Sequence, residues 1–153
     1  AAIRRTLDPA GPHNGAVMAD STYFYSSLCG PFRDPAESGA AFGDRATCQV
    51  NQANGREAVM ESFNDREEGA DILMVKPAGL YLDLVAAIAE FGLPVAAFQV
   101  SGEYAMIRAA ARNGWINERE VVMESMNCMK RAGADLIITY FAADVAGWLD
   151  EER

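Results

Sequence analysis

Lysine is nearly absent from this chain. Only Lys76 and Lys130 occur among 153 residues, against 11 arginines, so chemistry that needs an amine has two positions to draw on. Histidine is limited to His13, and the three cysteines lie far apart without a CxxC pair. This spacing gives no sequence signal for a zinc site.

Basic charge is also scarce. Thirteen basic residues against 22 acidic ones give a net charge of -9, which disfavours nucleic acid or an anionic membrane surface as the partner. No apolar run approaches the roughly 20 residues of a membrane span. The odd cysteine count and the lack of a secretory signal predict a soluble protein of a reducing compartment, either the cytoplasm or a plastid or mitochondrial interior. Because the chain begins Ala-Ala without Met, we expect a processed protein or a fragment.

The order of the apolar segments predicts an α/β fold. Strands are expected near residues 17, 72, 95 and 135, the first at 16–19 and the third at 95–100, and helical patterns separate them. Such alternation is typical of a parallel sheet with right-handed crossovers. A closed barrel of this kind needs eight strands and about 250 residues, so the chain holds material for half of one.

The longest segment without a periodic pattern runs from residue 20 to residue 53. Its Gly-Pro, Asp-Pro and Ser-Gly pairs predict repeated turns, and an irregular segment of this length is typical of a lid or a binding loop. Arg33 and Arg45 lie within it. They are either solvated surface arginines or guanidinium groups that bind an anion from a mobile lid.

Lys76 follows a short apolar run and precedes Pro77, which predicts the end of a strand buried on both faces. Chemistry in parallel α/β folds gathers at the carboxyl ends of the strands, where Ser101 and Tyr140 also lie. A lysine whose pKa is lowered by burial can attack a carbonyl carbon and form a Schiff base. The alternative is a lysine that ends a strand and reaches solvent. Lys130, in the last turn of a helix, is explained by the helix dipole.

Several motifs stand out along the chain: Met74-Val75-Lys76-Pro77 with Tyr81-Leu82-Asp83, Gln99-Val100-Ser101-Gly102-Glu103-Tyr104, Arg131-Ala132-Gly133-Ala134-Asp135 with Thr139-Tyr140-Phe141, Gly30-Pro31-Phe32-Arg33, and Phe42-Gly43-Asp44-Arg45. Together they resemble the porphobilinogen synthase family, also called 5-aminolevulinate dehydratase. The resemblance covers nearly the whole chain and implies one domain, residues 1–153, that corresponds to the carboxyl-terminal half of a (β/α)₈ barrel of the TIM type. Residues 20–53 would be its lid-like loop.

The resemblance implies the condensation of two 5-aminolevulinate molecules into porphobilinogen, an early step of tetrapyrrole synthesis for heme and chlorophyll. Lys76 matches the second of two Schiff-base lysines, and Ser101 and Tyr140 match residues that hold the carboxylate of the substrate bound there. The lid residues that hold the other substrate are matched by Arg33, Arg45 and Gln49. Glu61 matches a ligand of the allosteric magnesium that some members use, whereas catalytic zinc cysteines belong to the unmatched amino-terminal half.

Two positions depart from the family pattern. Tyr23 stands where the family has its first Schiff-base lysine, and Cys29 replaces a tyrosine. A phenol cannot form an imine, so we favour a degenerate relative acting as a structural or regulatory subunit on a protein partner that covers the open half-barrel. The alternative is an active enzyme of which this chain is a fragment or one of two chains.

Overall fold

The computed structural model describes residues 2–8, 15–33, 49–151 and 153, without the side chains of Phe32 and Arg33. Four strands and seven helices occur in these ranges, and none of the helices is long and apolar enough to cross a membrane. They are α1 (Ala2–Leu7), β1 (Met18–Tyr23), α2 (Gly30–Arg33), α3 (Gly55–Glu67), β2 (Ile72–Lys76), α4 (Leu82–Ala89), β3 (Val95–Phe98), α5 (Ser101–Arg112), α6 (Glu118–Ala132), β4 (Leu136–Ile138) and α7 (Ala142–Glu151). A 3₁₀ turn at Ser27–Cys29 precedes α2.

The strands form one parallel sheet in the order β1-β2-β3-β4. Each strand therefore pairs with the next along the chain, and the crossovers run through the helices, as the alternating pattern predicted. In this arrangement all four carboxyl ends lie at one edge of the sheet. That edge carries Tyr23 and Lys76 side by side, since they are register partners.

The core lies between one face of the sheet and the helices. Leu73 and Val75 are fully buried and pack with Val85 and Ile88 of α4 and Ala58 of α3. Burying an aliphatic side chain of this size stabilises the fold by about 1.5–3 kcal/mol. The other residues of β2 point to the opposite face of the sheet, and the helices do not cover that face.

The opposite face of the sheet, here called the inner face, is half-exposed. Met18 is 39% exposed and Leu136 is 40% exposed, while Met74 and Lys76 are partly buried. The prediction that β2 is buried on both faces was therefore wrong for the described residues. Its apolar run suits a strand of a closed barrel, in which the inner face would be covered by side chains from other strands.

The first strand is longer than predicted, because it continues from residue 18 to Tyr23 through Asp20, Ser21 and Thr22. Residues 20–23 thus belong to the sheet and not to the lid-like loop. The polar side chains looked like a loop in the sequence, but the buried Thr22 hydroxyl lies 2.9 Å from that of Ser62 on α3. Tertiary pairing here outweighs the low strand propensity of the residues.

Asparagine side chains cap the starts of two helices. The side chains of Asn54 and Asn117 accept the backbone N–H of Glu57 and Glu120, and they begin α3 and α6. The predicted third strand at 95–100 was too long, because β3 ends at Phe98 and α5 begins at Ser101. Ser101 therefore stands in the first turn of a helix.

Candidate active site at the carboxyl ends of the strands

The Lys76 amine projects from the end of β2 onto the inner face, between two aromatic rings and a carboxylate. Its Nζ lies 4.4 Å from the ring centroid of Tyr23 and 5.0 Å from that of Phe98. Asp20 Oδ2 is 3.7 Å from the same nitrogen. The Lys76 side chain is 23% exposed. Lys76 is thus neither a freely solvated lysine nor a fully buried one.

A bulge in β1 brings Asp20 and Tyr23 to the same face. Ala19 pairs with Leu73 and Thr22 with Val75, so Asp20 and Ser21 together stand opposite Met74 alone. Side chains alternate along a regular strand, and residues three apart would point to opposite faces. The extra residue shifts this alternation by one, as bulges do beside many active sites. Both side chains can therefore meet Lys76.

Asp20 sits in a strongly acidic setting. Burial raises the pKa of its carboxyl, and repulsion by Asp65 adds to this, although Lys76 acts in the opposite direction. It lines a polar cleft of about 430 Å³ that extends from the sheet edge along α3. The cleft residues are Asp20, Ser21, Tyr23, Gln49, Val50, Glu57, Glu61 and Asp65.

Ser101 and Tyr140 follow β3 and β4, at the same edge as Lys76. Ser101 is 9% exposed in the first turn of α5, and Tyr140 is 46% exposed. The Tyr140 ring lies 5.6 Å from that of Tyr104, one turn after Ser101 on α5. The fold thus gathers all three sequence-predicted rim residues at the carboxyl edge of the sheet.

Of the remaining predicted site residues, some line the cleft and others are not described by the structure. Gln49 and Glu61 line the cleft beside Tyr23. Arg33 ends α2 but its side chain is not described, and Arg45 lies outside the described residues. No group of three or more His, Cys, Asp or Glu side chains in the described ranges is arranged to hold a metal ion. Magnesium usually keeps several waters and takes only one or two carboxylates, so the magnesium ligand at Glu61 stays a prediction.

A sequence model of the family described as Delta-aminolevulinic acid dehydratase matches residues 1–148. The chain belongs to this family. It is 54% identical over 154 residues to the Delta-aminolevulinic acid dehydratase of Halalkalibacterium halodurans, and 53% identical over 152 residues to that of Staphylococcus aureus strain Mu50. These matches cover 100% and 99% of the chain but 47% of each relative. The chain thus spans about half the length of these relatives.

A solved relative has the same fold. The delta-aminolevulinic acid dehydratase of Toxoplasma gondii ME49, crystallised with its reaction product porphobilinogen, superposes with a TM-score of 0.95 at 45% identity. The match covers 99% of the chain and 44% of that structure. The four parallel strands and their helices therefore correspond to the second half of the dehydratase family's TIM-type barrel, which confirms the predicted fold class and family.

Two polar residues, quoted in a motif of the sequence but given no role there, hold this edge of the dehydratase fold together. Gln99 is 2% exposed, and its Oε1 accepts a hydrogen bond of 2.6 Å from the Thr139 hydroxyl. Its Nε2 donates to Ser125 Oγ at 3.3 Å, which links β3, β4 and α6. A glutamine inside the apolar run at 95–100 was the available signal, since a buried amide needs partners.

Glu103 is the second of these residues. Its Oε1 accepts the backbone N–H of Gly79 at 2.9 Å and its Oε2 accepts that of Val100 at 2.8 Å. The carboxylate thus joins the loop after Lys76 to the first turn of α5, which carries Ser101. Burial raises the pKa of Glu103, while both backbone donors favour its ionised form.

Replacing Glu103 by alanine is expected to lower the free energy of unfolding by about 2–3 kcal/mol at pH 7, because two N–H groups lose their acceptor. A raised folded-state pKa means that protonation of Glu103 stabilises the wild type below the ordinary carboxyl pKa. This contribution is lost as the pH rises through the folded-state value. The difference in the free energy of unfolding between wild type and Glu103→Ala should therefore become smaller as the pH is raised.

Urea unfolding between pH 4 and pH 8 measures the loss of stability in Glu103→Ala and the pH dependence of that loss. Glu124→Ala, at an exposed position of α6, is the matched control and should stay within about 0.5 kcal/mol of wild type at every pH. Equal stability of Glu103→Ala and the control variant would show that the two backbone contacts contribute nothing.

Proposed function

We propose that this chain serves tetrapyrrole synthesis as a porphobilinogen-synthase-like protein that binds one 5-aminolevulinate, or a related keto acid, as a Schiff base at Lys76. In this proposal it does not complete the condensation of two such molecules. The observation that carries the proposal is the pairing of Lys76 with Tyr23, whose ring lies 4.4 Å from the amine. Tyr23 occupies the position that the family resemblance assigns to the other Schiff-base lysine.

The contacts of Lys76 support a single covalent site. Its side chain is partly exposed, and the rings of Tyr23 and Phe98 form apolar walls beside its amine. A keto group placed there would meet one amine and one phenol, and only the amine forms an imine. Removing one of two covalent nucleophiles typically costs an enzyme several orders of magnitude in rate.

The hydroxyls of Ser101 and Tyr140 are the groups we propose for the carboxylate of the bound keto acid. Ser101 follows β3, which pairs with β2, and Tyr140 follows β4, which pairs with β3. Hydroxyl donors suit a carboxylate. The proposal assigns Arg33, Arg45 and Gln49 to a second carboxylate. Gln49 lines the cleft beside Tyr23, which supports its part of this assignment.

The half-exposed inner face supports a role within a larger assembly. Met18, Met74 and Leu136 present apolar surface there, and a barrel interior of this kind is normally filled by the remaining strands. We propose that a further protein segment covers this face, with the chain acting as a structural or regulatory subunit.

An active porphobilinogen synthase, assembled from this chain and the rest of a barrel, is the second candidate. It is favoured by 54% identity along the whole chain and by the TM-score of 0.95 to a porphobilinogen-bound relative. In that case Tyr23 would be a tolerated change, and condensation would proceed with one covalent substrate.

Reductive trapping separates the two candidates. The protein is incubated with 5-aminolevulinate and borohydride, and adducts are located by mass. We expect one adduct per chain, at Lys76, and no porphobilinogen above the uncatalysed level. Since the only other lysine is Lys130, Lys130→Arg should keep the adduct and Lys76→Arg should lose it. Porphobilinogen formed at a rate typical of the family would refute degeneracy, and an unlabelled Lys76 would refute the imine site.

A further inference from the structure

We propose that Asp20 is the proton-transfer group for imine formation at Lys76. The inference rests on the proposed function, because it concerns the chemistry of the same amine. It assigns a catalytic task to a residue that neither the motifs nor the rim of strand ends had pointed to.

The geometry places Asp20 beside the reacting nitrogen. Its Oδ2 lies 3.7 Å from Lys76 Nζ, which leaves room for small movements that bring the two atoms into hydrogen-bond contact. The bulge between Ala19 and Thr22 turns the carboxylate onto the inner face, where the amine also lies. The Asp20 side chain is 38% exposed, so a ligand bound at Lys76 can touch it as well.

Imine formation needs a group that first accepts a proton and later donates one. The ammonium of Lys76 must lose a proton before its lone pair forms the C–N bond with the ketone carbon. In the resulting carbinolamine, the C–O bond breaks when the hydroxyl gains a proton and leaves as water. A single carboxyl group can take the proton from Nζ and return it to that hydroxyl, so the overall change is loss of one water.

The surroundings of Asp20 suit this exchange. Burial and the neighbouring Asp65 raise the pKa of its carboxyl, and a raised pKa keeps part of the population protonated closer to neutrality. The titratable and charged groups that contact Asp20 or line its two clefts come from α1, β1, β2, α3 and the turn after α3. They are Arg4, Tyr23, Lys76, Glu57, Glu61, Asp65 and Glu68.

A purely electrostatic role of Asp20 predicts the opposite change in the rate of trapping when Asp20 is removed. If Asp20 only held Lys76 as an ammonium ion, its removal would free the amine and speed trapping. If Asp20 transfers the proton, its removal slows trapping even though the ion pair is gone. The direction of the change therefore decides between the two roles.

The test measures the rate of adduct formation with 5-aminolevulinate and cyanoborohydride from pH 5 to pH 9. We expect Asp20→Asn to slow trapping by about 100-fold at pH 7 and to change the limb of the pH profile that reports a carboxyl group. Asp20→Glu should recover part of the rate. Glu57→Gln removes an equal charge from the same cleft and should stay within about twofold of wild type.

The outcomes of this test distinguish a failure of the Asp20 role from a failure of the proposed imine site. Unchanged or faster trapping in Asp20→Asn, with the wild-type pH profile, overturns the role of Asp20 and leaves the imine site intact. No adduct in the wild type overturns the proposed imine function and this inference with it. Should Asp20→Asn fail to fold by circular dichroism, the same comparison is made with Asp20→Ala, for which added acetate must restore the rate.

Discussion

Replacing Tyr23 by lysine is expected to raise the number of borohydride-trapped 5-aminolevulinate adducts from one to two per chain. Tyr23 and Lys76 are register partners on neighbouring strands, and their side chains already meet on the inner face. Two neighbouring amines repel each other when both are protonated, which favours attack by the neutral form of one of them. The new lysine would thus be a second nucleophile beside the first.

Mass analysis of reduced samples measures this result directly. Tyr23→Phe is the matched control, since it keeps the ring and adds no amine, and it should retain a single adduct at Lys76. Peptide mapping should place the second adduct of Tyr23→Lys at position 23. A variant that folds and still carries one adduct would show that position 23 does not face the bound keto acid, and the account of degeneracy would then lose its basis.

Replacing Gly102 by alanine is expected to lower the free energy of unfolding by about 3 kcal/mol or more. A Cβ at this position would lie 2.3 Å from the carbonyl oxygen of Leu28 and 2.6 Å from its Cα. Both are backbone atoms, so no side chain can turn aside, and the first turn of α5 would have to move away from the 3₁₀ turn. Overpacking of this kind costs about 1–3 kcal/mol even where side chains yield.

Denaturant unfolding measures the free energy of unfolding of Gly102→Ala and of a control variant. Gly147→Ala, inside α7, is the matched control, because its Cβ would meet no heavy atom within 4 Å. Alanine is the better helix former, so this control should gain about 0.5–1 kcal/mol. If Gly102→Ala were as stable as Gly147→Ala, the close packing of α5 on the turn at Ser27–Cys29 would be disproved.

The Gly102 contact also matters for the candidate site. It fixes the turn at Ser27–Cys29, just after β1, against the helix that carries Ser101. Glu103, the next residue, ties the same helix turn to the loop after Lys76. Two adjacent residues of α5 therefore align the segments after β1, β2 and β3. We expect Gly102→Ala to lower the yield of the Lys76 adduct as well as stability.

Most of the fold could be predicted from local pattern. The apolar runs near residues 72 and 95 and the helical patterns around them report short-range physics, and they predicted the order of strands and helices. The edge that gathers Lys76, Ser101 and Tyr140 followed from parallel topology alone. The predicted ends of elements were less accurate, because β1 and β3 end where contacts between distant segments decide.

The sequence by itself determined that one lysine ends an apolar strand and that a phenol stands where the family resemblance expects another amine. Only the tertiary structure decided what surrounds that lysine. The bulge in β1 shifts the side-chain alternation by one residue and brings Asp20 and Tyr23 to the face of Lys76. Such a shift depends on how two strands separated by some fifty residues align, and no local pattern in β1 encodes that alignment.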